Sequence, residues 1–521
     1  MERPRVVMDR DNEAVAVRPV ADRRVAVVDV GSNTARLVVF QTAPGGFLRA
    51  TYEAKESPRL GLAVAPDGAI SRDAFDRGVA GLQRFSRMLR AFGAPRTVGV
   101  ATSAVRDAPN GRAFVEKVHK ETGLDLRVLT GTEEARYAFL GVSSSWELDN
   151  DLVCDLGGGS LQIAATRKGA LHNSVSLPLG ALRLTQRFFA HDPPKGREVE
   201  ELREHVRLDL RDALEAIGPP HRRLFGVGGT VRALAKVAIN LREYPIPRVH
   251  GFPLRSHDLE ALGELLLDMP SEKRSSVPGI GTDRADVIVA GLVVFEELLR
   301  ASGADGVTVS GTGIREGLAL EEIRAPLPAT AEELARRSVA GAGEALAFSV
   351  EHGEQVERVA RQLFDLVAVR RKWGEEERRA LMVAAWMHDA GTAIDLWRHA
   401  RHSAYLVRNV PLWGLSQREI LIASMVAYLH EGDDAPSSWR RDFLPLIRGS
   451  DIDLARQLGR LLYVAETLIG GEPRFSLPEG SDHLSITLGE PKDGGLPPKV
   501  LEKVRKPLRR EFHLEVKPRD P

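Results

Sequence analysis

Cysteine is almost absent from this chain. Cys154 is the only one among 521 residues, so no disulfide can form within the molecule and a reducing compartment is the expected setting. Net charge is absent as well: 72 Lys and Arg stand against 72 Asp and Glu. No global field therefore draws the chain to nucleic acid or to a membrane surface, and neither is expected as a partner. Long apolar runs are missing too. The longest, around Val287–Phe295, is too short to span a bilayer. The N-terminal stretch alternates charges (Arg3, Arg5, Asp9, Arg10, Asp11, Glu13) and has no apolar signal core. A soluble, cytoplasmic protein is expected. An anionic substrate would have to be drawn in by local Arg, Lys, backbone N–H groups and metal.

With 43% apolar and 28% charged residues the chain reads as ordinary globular protein, and its length calls for two to four domains. Residues 1–23 show no periodicity and are expected to be a disordered leader. From Val25 to about residue 320, strand-like apolar runs alternate with helical spacing, which predicts α/β layers with sites at strand ends. Pro326-Leu327-Pro328 marks a boundary. Beyond it, residues 331–470 read as helical, followed by a charged tail with one strand candidate at Leu484–Leu488. The predicted division is 24–144, 145–324 and 325–521.

One device occurs twice. Val25–Val28 is an apolar run ending in Asp29, then Gly31-Ser32-Asn33, then a second apolar run. Leu152–Cys154 repeats it with Asp155, then Gly157-Gly158-Gly159-Ser160. Each reads as a strand, a tight turn and a returning strand, with glycines that let backbone N–H groups approach a ligand. The repetition predicts a duplicated fold with a site between its halves. Further strand-end clusters follow in Thr102–Asp107, Thr130–Arg136, Ser176–Gly180, Gly226–Thr230 and Gly311–Gly317. Cys154, inside the apolar run, is read as inert core.

Seven such motifs in order resemble the exopolyphosphatase / guanosine pentaphosphate phosphohydrolase family over residues 24–320. The resemblance implies two actin-like (ribonuclease-H-like) lobes with an interlobe cleft, and Mg²⁺-assisted cleavage of a terminal phosphoanhydride bond. Mn²⁺ is the alternative metal and a monovalent cation an additional option. Residue by residue, Glu134 matches the catalytic glutamate that activates water. Asp155 matches the carboxylate that anchors metal or water, and Asp29 is its counterpart in the first lobe. Gly31, Ser32, Asn33, Gly157, Gly158, Gly159 and Ser160 match phosphate-cradling loops, and Arg106 matches an arginine near the phosphate. Glu133, beside Glu134, is read as a carboxylate favouring the helix N-terminus; Arg106 has Asp107 as a competing partner. The implied substrate is inorganic polyphosphate, with guanosine pentaphosphate as the alternative and a homodimer expected. A kinase on the same fold and a non-hydrolysing sensor are the competing classes.

In the helical domain, His388-Asp389 with His352 upstream resembles the HD phosphohydrolase pattern, which binds a divalent metal. The last ligand falls at Glu466, where that pattern has Asp. The expectation is an all-α HD-like domain acting first as a binding platform for a long anion.

Overall fold

A computed structural model of the chain describes residues 24–61, 68–93, 96–218, 221–432, 434–444, 446–470, 473–477, 483–488 and 498–518. The expected leader, 1–23, lies outside them.

The first repeat folds as an antiparallel meander of β1 (Arg24–Val30), β2 (Ala35–Thr42) and β3 (Leu48–Glu56). β4 (Arg96–Ala101) then runs parallel to β1, and β5 (Leu126–Val128) parallel to β4, giving the order β3-β2-β1-β4-β5. β1 is apolar at nearly every position because both of its faces are covered. Ala26, Val28 and Val30 pack with Leu82, Phe85 and Phe114, while Val25 and Val27 pack with Phe40, Tyr137 and Leu318.

The second repeat uses the same plan. β6 (Leu152–Leu156), β7 (Leu161–Arg167) and β8 (Ala170–Leu177) form the meander, and β9 (Leu224–Val227) and β11 (Gly306–Val309) add in parallel. β10 (Pro253–Arg255) closes the edge, so the order is β10-β11-β9-β6-β7-β8. β1 and β6 are thus the central strands of matching sheets, and both end at the cleft in an aspartate. Cys154 sits fully buried in β6 and burial pushes its thiol far up, as expected for inert core.

Two helices are exchanged between the lobes. Gly131–Ser143, which ends the first repeat, lies on β6, β7 and β8; Ile314–Glu322, which ends the second, lies on β1 and β4. They press together through glycine. A methyl group on Gly141 would land on the carbonyl of Gly313, and one on Gly317 on the carbonyl of Tyr137.

The C-terminal domain is helical, as expected, over Ala331–Leu346, Val350–Arg371, Glu375–Met387, His399–Asn409, Gln417–Leu429 and Asp451–Thr467. It is not all-α. The tail folds into a sheet of order β12-β13-β14, with β12 (Pro473–Ser476), β13 (His483–Leu488) and β14 (Glu515–Pro518), packed beside the helix Pro498–Phe512. The strand expected at Leu484–Leu488 is β13, and Leu484, Ile486 and Val516 with Val504 and Leu508 bury an apolar seam. The domain docks through Trp413, whose ring lies 4.5 Å from His250 and 6.4 Å from Phe47, so it rests on both lobes. Gln417 Nε2 donates to the carbonyls of Arg248 and His250, each at 2.8 Å. Among the described residues no helix is long and apolar enough to cross a membrane.

Candidate active site

The two glycine turns are built alike and face one another. In the first, the Gly31 N–H donates to Thr34 O at 3.0 Å; in the second, the Gly157 N–H donates to Ser160 O at 2.9 Å. These N–H groups close the turns, leaving Ser32-Asn33 and Gly158-Gly159 as the tips. The tips touch across the lobes. A Cβ on Gly158 would lie 3.1 Å from Ser32 Cβ, and one on Gly159 2.7 Å from Ser32 Oγ. Gly180 is needed because its α-carbon backs directly onto the main chain of Gly159 and Ser160. Between the turns lies a cavity of about 120 Å³. Gly31, Ser32, Asn33, Gly157, Gly158 and Ser160 line it; Gly159 does not, being turned toward Ser32 and Ser103.

Three carboxylates enter this cavity. Asp29 and Asp155 come from the ends of β1 and β6, and Glu134 from the first turn of the exchanged helix Gly131–Ser143. That helix is started by its neighbour. Thr130 Oγ1 accepts from the Glu133 N–H at 3.2 Å while Glu133 Oε2 accepts from the Thr130 N–H at 2.8 Å, a reciprocal cap. Glu133 is thereby committed at the surface, and Glu134 is rotated inward to 6% exposure. Burial pushes the Glu134 carboxyl up to about 7, against the pull of Arg106 and with the help of Asp155 and Asp29. Desolvation likewise raises Asp155 to about 6, opposed by Arg232 and reinforced by Asp29. Asp29 is raised by the same burial, with Arg315 and Arg36 resisting.

The arginines are distributed differently from expectation. Arg106 does not line the cavity. It stands behind Glu134, bound to its carboxylate, and donates to Leu129 O at 2.8 Å; its Nε also lies 3.3 Å from Asp107. The cavity wall is instead supplied by Arg36, Arg232, Arg284 and Arg315. Burial, with Arg315 and Arg36 nearby, lowers Arg232 to about 10. Gly229 is glycine because a side chain there would occupy the position of the Arg284 guanidinium. These same arginines also line a second opening of about 460 Å³, where Lys55 and Lys236 join them opposite Glu53, Asp283 and Glu316. No aromatic side chain lines either space among the described residues.

The lobes are tied across the cleft. Lys55 pairs with Asp283 at 2.6 Å, Arg59 with Asp286, and Asn33 Nδ2 donates to Asp283 O at 2.8 Å. Asn33 Oδ1 is buried without a hydrogen-bond partner and is available to a ligand group or water.

Sequence reasoning assigned no role to the four wall arginines. Three lay inside motifs already read for their glycines: Arg36 after Gly31-Ser32-Asn33, Arg232 after Gly228-Gly229-Thr230, and Arg315 within Gly311–Gly317. Arg284 sits in Gly281-Thr282-Asp283-Arg284, a glycine-led polar loop that was a readable signal.

In the helical domain the structure does bring His352, His388, Asp389 and Glu466 to one place, from the helices Val350–Arg371 and Asp451–Thr467 and the end of the helix Glu375–Met387. His352 Nε2 is 3.3 Å and His388 Nε2 3.6 Å from Asp389 Oδ2. Burial and the Asp389 charge push Glu466 up to about 7.

Residues 38–325 match the model of the Ppx/GppA phosphatase family, and residues 335–439 that of Ppx/GppA phosphatase domain III. Exopolyphosphatase 1 of Mycobacterium tuberculosis is 33% identical over 314 residues, covering 59% of this chain and 90% of its own; the Mycobacterium leprae protein of that name is 34% identical over 314 residues, covering 59% and 92%. Among solved structures, the Aquifex aeolicus Ppx/GppA family member aligns with a TM-score of 0.51 at 32% identity, over 58% of this chain and 97% of that one. An exopolyphosphatase from Cytophaga hutchinsonii aligns with a TM-score of 0.54 at 26% identity, over 58% and 99%.

Proposed function

The chain belongs to the Ppx/GppA phosphatase family, and from that premise we propose that it hydrolyses the terminal phosphoanhydride bond of inorganic polyphosphate, releasing orthophosphate. The observation that carries this reading is one cavity in which three carboxylates face four arginines between two glycine turns. Arginines gathered in a partly dehydrated space call for an anion, and their guanidinium forks suit phosphate oxygens. Carboxylates gathered there call for a hard cation and a proton acceptor.

Asp29 and Asp155 fit Mg²⁺: both are oxygen donors, they approach from opposite lobes, and the cavity leaves room for water and substrate oxygens. Mg²⁺, when bound there, would supply charge neutralisation at the phosphoryl group and the bridging oxygen. Glu134 is the group suited to take a proton from the attacking water, because its pKa lies near neutrality and Arg106 holds the carboxylate in place. Water oxygen attacks the terminal phosphorus, the phosphoanhydride P–O bond breaks, and the shortened chain leaves with that oxygen's electron pair. The wall arginines hold the phosphate oxygens in line, and closure of the loop tips excludes bulk water.

The lining of these two spaces, which share their four arginines, supports polyphosphate over guanosine pentaphosphate and hydrolysis over a nucleotide-dependent kinase reaction. Both are lined by arginine, carboxylate and glycine, the second also by Lys55 and Lys236, and neither offers a ring on which a base could stack. The test is phosphate release by the purified chain from long-chain polyphosphate with Mg²⁺, with guanosine pentaphosphate as competitor. Release that the nucleotide suppresses only weakly is expected. Turnover confined to guanosine pentaphosphate would overturn the substrate assignment, and binding of polyphosphate without release would overturn the enzyme.

A further inference from the structure

A second cluster, in the helical domain and independent of the interlobe cleft, carries more than the four residues expected there. His399, from the start of the helix His399–Asn409, places Nε2 3.1 Å from Asp389 Oδ1. His430, at the end of the helix Gln417–Leu429, places its ring 5.3 Å from that of His388 and 5.4 Å from that of His399. Two overlapping triads result, His352–His388–Asp389 and Asp389–His399–His430, each with its ligand atoms mutually within 4.8 Å. Asp389 belongs to both, one carboxylate oxygen toward each.

The histidines are held for ligation. His388 and His430 are 0% exposed, and each donates its Nδ1 hydrogen to a carbonyl one turn back, Ala385 and Ala427, at 2.8 Å. That fixes the tautomer with a bare Nε2 lone pair turned inward, and both Nε2 atoms are buried with no hydrogen-bond partner. Two dehydrated, unpartnered lone pairs beside a shared carboxylate are costly unless something binds them. Glu466, with Oε2 4.0 Å from His430 Nε2, lies at the rim beside partly exposed Asp389 and His352, so the cluster remains open to solvent.

We propose that this cluster is a two-ion metal centre: one divalent ion on His352 and His388, a second on His399 and His430, with Asp389 bridging them and Glu466 at the open side. Four imidazoles select a first-row transition metal over Mg²⁺ or Ca²⁺, which prefer all-oxygen sites. It is therefore separable from the carboxylate site of the cleft.

The test uses the full chain carrying Asp155→Asn, so that the cleft is not counted, stripped with chelator and titrated with Mn²⁺. Two ions per chain are expected by elemental analysis after equilibrium dialysis, with exchange-coupled rather than isolated Mn²⁺ signals in electron paramagnetic resonance. A large excess of Mg²⁺ should leave both in place. His352→Ala and His399→Ala, both at partly exposed positions, should each lose one ion of the two and abolish the coupling. Binding of less than one ion, displacement by Mg²⁺, or stoichiometry unchanged in both variants would overturn the centre. A single ion with an isolated signal would overturn the bridging role of Asp389.

Discussion

Glu134→Gln separates chemistry from architecture. Glutamine keeps the length and planarity of the side chain and an oxygen for Arg106 to hold, but it cannot take a proton from water. Loss of a general base costs roughly 10²–10⁴-fold in rate, so kcat on polyphosphate should fall by that factor while KM stays within about twofold. The structure also fixes what stability should do. The carboxyl is raised from an ordinary 4.5 to about 7 by burial, so between those values the native state holds a proton that the unfolded state has lost. Native protein binds more protons there, and stability falls as pH rises through the window. The gap corresponds to about 3 kcal/mol at most, with the pull of Arg106 already counted in it. Glutamine carries no such charge. Metal-free Glu134→Gln should therefore be no less stable than wild type at pH 8, and its thermal midpoint should change less between pH 5 and pH 8. Phosphate release and melting curves at both pH values decide the matter. A kcat within threefold of wild type would refute the base assignment, and a large drop in the midpoint at pH 8 would refute the account of its burial.

The pH profile of kcat/KM should climb with an apparent midpoint near 7 at low Mg²⁺, because Glu134 and Asp155 act ionised and are raised to about 7 and about 6. Saturating Mg²⁺ should move that limb to lower pH by favouring the ionised carboxylates; a limb indifferent to Mg²⁺ would exclude Asp29 and Asp155 as its holders. Gly317→Ala should destabilise the protein by about 1–3 kcal/mol, since its methyl group would overlap the Tyr137 carbonyl at the helix crossing; an unchanged melting temperature would show that the crossing is loosely packed. Lys236→Ala, in the second opening, should raise KM for long polyphosphate by about two- to fivefold and leave tripolyphosphate unaffected, the scale of one partly solvated charge. Equal effects on both would place the chain elsewhere.

How much of this was legible depended on whether a residue's role is local. Asp29 and Asp155 could be read because the strand, carboxylate and glycine turn are contiguous and occur twice, and the sheets place them as matching strand ends. The choice between Glu133 and Glu134 was legible for the same reason: a capping box is a four-residue pattern, and it commits Glu133. Arg232 and Arg284 were not legible in this way. Their meeting depends on a glycine at 229 that clears space for a loop some fifty residues further on, a long-range relation no local pattern records. The tail was legible only in part: Leu484–Leu488 reads as a strand and is β13 (His483–Leu488), but the sheet built around it was not. Its buried positions are scattered, Leu484 and Ile486 alternating with Ser485 and Thr487 while Val504 and Leu508 stand among Lys and Arg, and only the pairing of β13 with β12 and β14 assembles them into a seam. In the helical domain His352 and His388-Asp389 matched a spaced pattern, whereas His399 and His430 joined only when helix ends converged.

The exchange of helices between the lobes gives the charge pattern a mechanical meaning. The helix that carries Glu134 lies on the sheet that ends in Asp155, and the helix that begins beside Arg315 lies on the sheet that ends in Asp29. A rotation that carried each helix with the sheet it covers would move Glu134 together with Asp155 and Arg315 together with Asp29, and would shear the glycine crossing of the two helices and the Tyr137 contact with β1. The bonds such a rotation would stretch are those that cross between the two bodies: Arg106 to Glu134, Lys55 to Asp283, Arg59 to Asp286, and the meeting of the loop tips. Opening the cleft would thus separate the two metal-type carboxylates from each other and pull the base away from the arginine that orients it, all in one motion. On the mechanism proposed above, neither half holds a complete site, so polyphosphate with Mg²⁺ would gain full coordination only in the closed form, and closure would also remove water other than the one to be activated.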